Sequence, residues 1–181
     1  MAYVIRAAVP ADAKAIAQVQ VAGWHSTYTG LMPDSLLAAQ TVERRLPMWD
    51  HLLAKPEIFS VYVAETTSEI VGFVSGGRPQ DMGAGAAGAY SDQNGFDCEV
   101  YALYIMKSHQ GHGLGRRLLQ QIKAYFAADG KSAMLLWVLD NNHGARRFYE
   151  RMGGTLLDFE KTLDTDEGPL REVAYGWHKL D

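Results

Sequence analysis

A chain of 181 residues with 48% apolar content has enough material for one good hydrophobic core, so a single domain spanning 1–181 is expected. A formal net charge of −4 gives no general attraction to a polyanion, which argues against a nucleic-acid partner. The single cysteine, Cys98, excludes an internal disulfide framework and a multi-cysteine metal site; the longest solid apolar run, Met134 to Leu139, is too short for a bilayer, and the first residues lack the apolar stretch of a signal peptide. A cytoplasmic protein with no metal and no membrane partner is the expectation.

In chain order, Tyr3 to Ala7 reads as a strand, and Pro10 with Asp12 opens a helix carrying Ile16, Val19 and Gly23 on one stripe. The stretch from Trp24 to Pro33 interrupts it. Ser35 to about Lys55 is helix-rich, with Pro47 starting a new helix or kinking the old one because it has no N–H to donate. Phe59 to Glu65 and Ile70 to Arg78 form an antiparallel hairpin across Thr66-Thr-Ser-Glu69. Gly83 to Gly95, small and glycine-rich, reads as a flexible connection. A strand at Cys98 to Met106, a helix from about Leu114 to Asp129, a strand at Ala133 to Leu139 and a helix from about Asn142 to Met152 follow. A last hairpin pairs Thr155 to Leu163 with Arg171 to Leu180. Hairpins mixed with crossover helices predict an α+β (α/β mixed) sheet, not a doubly wound parallel one.

Two stretches carry chemistry. In "HQGHGLGRRLL", residues 109 to 119, Gly111, Gly113 and Gly115 sit where a strand gives way to an amphipathic helix through Leu114, Leu118, Ile122 and Tyr125. Free N–H groups and the positive end of the peptide dipole meet there, and glycine lets an anion approach without striking a Cβ. Lys107, His109, His112, Arg116 and Arg117 add local positive charge, so the turn suits a phosphate. The spacing fits neither G-x-G-x-x-G nor a P-loop; it reads Q-x-x-G-x-G at Gln110, Gly113 and Gly115. In "DNNHGARRFYERMGG", residues 140 to 154, Asn142, Ala145 and Tyr149 share a helix face, the small Ala145 leaving a groove between two polar side chains, while Phe148 and Met152 take an adjoining, core-facing side.

Together these stretches resemble the GNAT superfamily of N-acetyltransferases: a strand "CEVYALYIMKSHQ", Q-x-x-G-x-G opening a helix, a strand "MLLWVLDNN", then N-x-x-A-x-x-F-Y-x-x-x-G. The resemblance implies a six- to seven-stranded mixed sheet with helices on both faces and two splayed central parallel strands, Glu99 to Met106 and Ala133 to Leu139. It also implies acetyl-CoA as co-substrate, its pyrophosphate on the amides of Gln110, Gly111, His112, Gly113, Leu114, Gly115 and Arg116. Leu103 and Ile105 would meet the pantetheine arm and the acetyl carbonyl, and Asn142 the arm from the other side. Tyr149 would protonate the departing thiolate. The chain departs from the family at Gly154, where an aromatic is usual, and at Gly111 and His112, where arginine or lysine is common.

An ammonium acceptor must lose a proton before attack, and Glu99, at the start of the strand leading to the cofactor, is the candidate base. No His-Asn arrangement accompanies Cys98, so direct transfer is preferred to a covalent route. Trp24 and Tyr28, one helical turn apart, could wall a cationic amine, and Asp81, Asp92, Asp97 and Glu99 bias the neighbourhood acidic. The partners are thus acetyl-CoA and an amine acceptor, with a homodimer suggested by the aromatic hairpin residues Tyr175 and Trp177. A CoA-binding sensor without transfer and a nucleotide oxidoreductase are the alternatives.

Overall fold

The computed structural model describes residues 2–80 and 95–180. The glycine-rich stretch expected to be flexible lies outside them, except for Gly95. Among the described residues seven strands hydrogen-bond in the order β1-β2-β3-β4-β5-β7-β6, mixing parallel and antiparallel pairs. They are β1 Val4–Ala7, β2 Phe59–Glu65, β3 Ile70–Gly77, β4 Cys98–Ile105, β5 Met134–Leu139, β6 Thr155–Leu163 and β7 Leu170–Trp177. The helices are α1 Ala13–Tyr28, α2 Asp34–Ala38, α3 Val42–Leu53, α4 Leu114–Ala128 and α5 His143–Arg151. This is the mixed sheet with flanking helices that the strand-and-helix order predicts.

The chain forms two compact units, Met1–Gly76 with Ala102–Ile122, and Gly77–Tyr101 with Lys123–Asp181. In the first, Ile16 and Val19 of α1 and Trp49 and Leu53 of α3 bury against Val61, Val63 and Phe73. Trp49 donates its indole N–H to Gln20 at 2.8 Å and meets Phe73 edge-on at 5.0 Å, so this large ring enters the core with its polar atom satisfied. Arg6 on β1 forks onto Asp12 (2.7 and 3.0 Å) and also bonds Glu65 on β2 (3.0 Å), tying the entry to α1 to the hairpin. Burial works against the Asp12 charge, yet Arg6 and the Val9 N–H outweigh it and hold this carboxyl below its usual range. Thr66 closes the β2–β3 turn by accepting from the N–H of Ser68 and of Glu69.

In the second unit β5 lies parallel to β4, with Cys98 opposite Met134, and antiparallel to β7, with Met134 opposite Trp177. Phe96, Ala133 and Leu135 bury there with Trp137 and Leu157 packed on them.

Two local expectations are corrected. The first helix does not stop at Trp24 but runs on to Tyr28, because Trp24 and Tyr28 stack edge-on at 5.4 Å along one face and no residue before Thr29 breaks the turn. Of the two readings of Pro47, a new helix start is excluded: the break falls at Ala39–Thr41, where Thr41 caps α3 by accepting from Arg44, and Pro47 lies inside α3.

Candidate active site

In the first unit, β4 ends in the short turn Lys107–His109, and Gln110 through Gly113 then lie exposed before Leu114 buries at the head of α4. Gly111 and Gly113 have φ of +79° and +75°, and a Cβ built on either meets nothing within 4 Å. The backbone is therefore left-handed where side chains are disfavoured, over open space. The Arg117 N–H reaches the Gly113 carbonyl at 3.1 Å and closes the first helical turn, so the amides of Leu114, Gly115 and Arg116 precede it without a helical acceptor. The turn is pinned from three sides: the Gln110 amide donates to the Ile105 carbonyl at 3.1 Å, His112 Nδ1 pairs with the Gln110 carbonyl at 2.9 Å, and Arg117 donates to the Tyr3 carbonyl at 3.1 Å.

The basic cluster divides. His109 sits against the Tyr3 hydroxyl at 3.1 Å and Glu69 at 3.9 Å, so it is part of the framework, whereas Lys107, His112 and Arg116 stay exposed beside the amides. Gln110 likewise ties the turn to β4 through its side chain. Gly115 is half-buried, as are Leu103 and Ile105.

In the second unit the parallel pairing of β4 with β5 covers Cys98–Val100 and Met134–Leu136. Along β4, Cys98, Glu99 and Val100 are buried while Tyr101 through Ile105 are half-buried without alternation. A strand buried on one face alternates, so unbroken half-burial marks backbone with neither face fully covered.

Glu99 is 6% exposed. Burial pushes its carboxyl up to about 7, with the Gln80 N–H at 2.9 Å and the Lys161 charge pulling down and Glu172 pushing up. Cys98 is fully buried with its thiol on the Ala133 carbonyl at 3.4 Å, and burial pushes that thiol well above its usual range, which removes the thiolate a covalent route needs. Asp97 is occupied too: it accepts from the N–H groups of Ser132 and Ala133 and from the Ser132 hydroxyl. Asp81 and Asp92 lie outside the described residues.

Asn142 caps α5, its Oδ1 accepting from the Ala145 N–H at 3.1 Å, which leaves its amide NH₂ as the group able to donate elsewhere. Tyr149 is the deepest residue of α5, 9% exposed, with its ring 6.1 Å from Tyr175 and 6.3 Å from Trp177. The expected core face is thus corrected: Phe148 and Met152 are half-buried and Tyr149 is inside. Its helix is bolted to β7 by the Tyr175 hydroxyl, which donates to Glu150 at 2.7 Å and accepts from Arg146 at 3.3 Å. Tyr175 and Trp177 are both buried, so they offer no aromatic surface to a second copy. Gly154 is also explained. A Cβ there would lie 2.7 Å from Trp177, whose ring fills the space of the missing side chain.

Trp24 and Tyr28 lie in the first unit. Arg45 of α3 already sits over the Trp24 ring at 5.1 Å, and Tyr28 shares a hydroxyl contact of 3.1 Å with Tyr104 of β4. Arg45 and Tyr104 escaped the sequence reading. Alternation along β4 would have sent Tyr104 to the face opposite Leu103 and Ile105, but nothing in "TVERRLPMW" distinguishes Arg45 from a solvated helix cation.

The Acetyltransferase (GNAT) family model matches residues 24–154. The chain belongs to the GNAT acetyltransferase family. It is an acetyltransferase of the class whose acetyl donor is acetyl-CoA. The acetyltransferase is 29% identical over 177 residues to the uncharacterized N-acetyltransferase YuaI of Bacillus subtilis, covering 97% of this chain and 93% of that one. It is 32% identical over 154 residues to a protein named as an N-acetyltransferase, Rv2775 of Mycobacterium tuberculosis, covering 81% and 76%. Among solved structures its fold is similar to the PaiA N-acetyltransferase of Thermoplasma acidophilum in complex with coenzyme A, with a TM-score of 0.71, 16% identity and coverage of 98% and 100%. The yncA protein of Salmonella typhimurium with its cofactor acetyl-CoA aligns at a TM-score of 0.69 and 22% identity over 100% and 95%. No group of three or more metal-ligating side chains and no helix long and apolar enough to cross a membrane occurs among the described residues.

Proposed function

We propose that the acetyltransferase moves the acetyl group of acetyl-CoA directly onto a primary amine of a small molecule or peptide, with residues 1–181 acting as a single domain. The observation that carries this reading is the pair of left-handed glycines, Gly111 and Gly113, set over open space immediately before the first-turn amides of α4, a combination that suits a diphosphate. Lys107 and Arg116, exposed beside it, add positive charge.

Acetyl-CoA supplies the activated carbonyl and a thiolate leaving group. The protein's own residues then have three tasks. The N–H groups of β4 around Leu103 and Ile105 orient the arm and stabilise the carbonyl oxygen as it becomes negative. Glu99, whose buried carboxyl titrates near 7, takes the proton from the ammonium acceptor, directly or through a water. Tyr149 gives its phenolic proton to the sulfur as the C–S bond breaks, and Asn142 donates its NH₂ to the arm. The ammonium nitrogen loses two protons on its way to an amide: the first goes to Glu99 before attack, and the second, lost from the tetrahedral adduct, restores the Tyr149 phenol whose own proton has gone to the leaving sulfur, so the products are the amide, the free thiol and a protonated Glu99.

The test is release of free thiol from acetyl-CoA against an amine panel, with thermal shifts by acetyl-CoA, CoA and NAD read in parallel. Stabilisation by acetyl-CoA with amine-dependent thiol release is expected. Stabilisation without release for any amine would leave a CoA-binding module, and a shift with NAD alone would overturn the reading.

A further inference from the structure

Arg45 is half-buried, and burial pulls its proton affinity down. A guanidinium taken out of water is normally matched by an acid. Arg6 in the same unit has two, Asp12 and Glu65. Arg45 has no carboxylate within ion-pair distance among the described residues. The groups it touches are neutral: the Gln40 Oε1, which accepts from Nε at 2.9 Å and from Nη2, the Met48 sulfur at 4.0 Å from Nη1, and the Trp24 ring beneath it, while the adjacent Arg44 charge adds repulsion. These contacts orient the fork without neutralising it. Gln40 takes the Nε side, so the edge between Nη1 and Nη2 still carries N–H groups with no charged acceptor.

A second uncompensated donor lies alongside. The Trp24 indole N–H is buried with no hydrogen-bond partner among the described residues, on the ring that Arg45 covers. Next to it Tyr28 meets Tyr104, and Tyr104 stands between Leu103 and Ile105 on β4. Gly23 makes the juxtaposition possible, since a Cβ there would lie 2.7 Å from the Tyr104 ring.

We propose that the acetyl acceptor carries a carboxylate beside its amine, as an α-amino acid does, and that Arg45 receives this carboxylate on its Nη1–Nη2 edge next to Tyr28 and Tyr104. The inference rests on the acetyltransferase reading above and names its substrate class. A planar carboxylate matches one guanidinium edge in a bidentate way. The amine of an α-amino acid is two bonds from its carboxylate carbon, so anchoring the acid at Arg45 holds the nucleophile near the Leu103–Ile105 segment. A purely cationic amine finds the Trp24 face already covered by a like charge.

The experiment compares matched acceptors on the full chain: a set of α-amino acids, their α-carboxamides and aminoalkyl phosphates, with wild type, Arg45→Lys and Arg45→Gln, reading thiol release and the shift in Tm caused by acetyl-CoA. In wild type, kcat/KM should favour acids over carboxamides by about 10- to 100-fold, the worth of a charge-assisted hydrogen bond or two. Arg45→Gln should level the pair by raising KM for the acids, Arg45→Lys should keep part of the preference, and the acetyl-CoA shift should be equal in all three. Preference for carboxamides or aminoalkyl phosphates overturns the inference. So does an equal loss for acids and carboxamides in Arg45→Gln, or failure to acetylate any amino acid while acetyl-CoA still stabilises the protein. Absence of any shift with acetyl-CoA sinks the acetyltransferase reading itself and the inference with it.

Discussion

In the first unit, Gln110 to Gly113 lies open to solvent ahead of the main-chain N–H groups of Leu114, Gly115 and Arg116; in the second, Glu99 and Tyr149 are buried and offer side chains whose chemistry depends on what surrounds them. The first kind of site is set by backbone conformation, so a change of dihedral preference destroys it. The second is set by desolvation and neighbours, so a change of one atom alters it while the fold stays. Substitutions in the two regions should therefore fail in different ways, one in cofactor affinity and the other in turnover and its pH dependence.

The largest expected effect is in the backbone site. Gly113→Val forces a β-branched residue to φ near +75° and places its side chain before the amides; with strain of about 1–3 kcal/mol at such positions, kcat/KM for acetyl-CoA should fall about 100-fold or more. The acetyl-CoA thermal shift should vanish with it, and an unchanged shift would remove the role given to the turn. Tyr149→Phe should lower kcat about 10- to 100-fold, since a thiolate leaving group needs only modest acid help, and should leave the thermal shift in place. If the shift were lost instead, the contrast between the two regions would collapse.

Gly23→Ala tests the first unit away from the turn. The added methyl meets the Tyr104 ring at 2.7 Å, and overpacking of this kind costs about 1–3 kcal/mol, which a urea midpoint would record. Wild-type stability would mean that Tyr104 moves aside freely.

Glu99→Gln carries the smallest effect on rate, about 10-fold at pH 8, at or below the low end of general-base contributions. In wild type kcat/KM should rise with pH through about 7 as the buried carboxyl loses its proton, and the variant should lose that limb. Stability should move the opposite way. The native carboxyl is raised to about 7 from an ordinary value of 4.5, so its contribution is present below 4.5 and lost as pH rises through 7. The variant should accordingly gain stability over wild type at pH 8 but not at pH 4, and equal stability at both would show that Glu99 is not desolvated.

The backbone-built part was legible in the sequence because glycine spacing is a local record of dihedral angle: Gly111 and Gly113 announce the turn without any knowledge of the fold. The strands were legible for the same reason, with β2 at Phe59–Glu65 written as a β-rich run ended by a polar turn. The depth of Tyr149 was not. Its helix face is decided by Tyr175 and Trp177, which lie on a strand more than twenty residues later. Arg45 was opaque for a related reason, since a cation on an amphipathic helix reads as solvated until packing puts it over Trp24 with no acid paired to it among the described residues. Helix α1 overran its expected end because loop-like composition at "WHSTYTG" counted for less than the Trp24–Tyr28 stack.

The most direct test is a titration of the ¹⁵N-labelled protein with coenzyme A, followed through its backbone amide resonances. A diphosphate held by main-chain donors predicts that the amides of residues 111 to 116 shift most, with Gly113 and Gly115 prominent and saturating together. Saturable binding in which those amides keep their positions while resonances elsewhere move would contradict it.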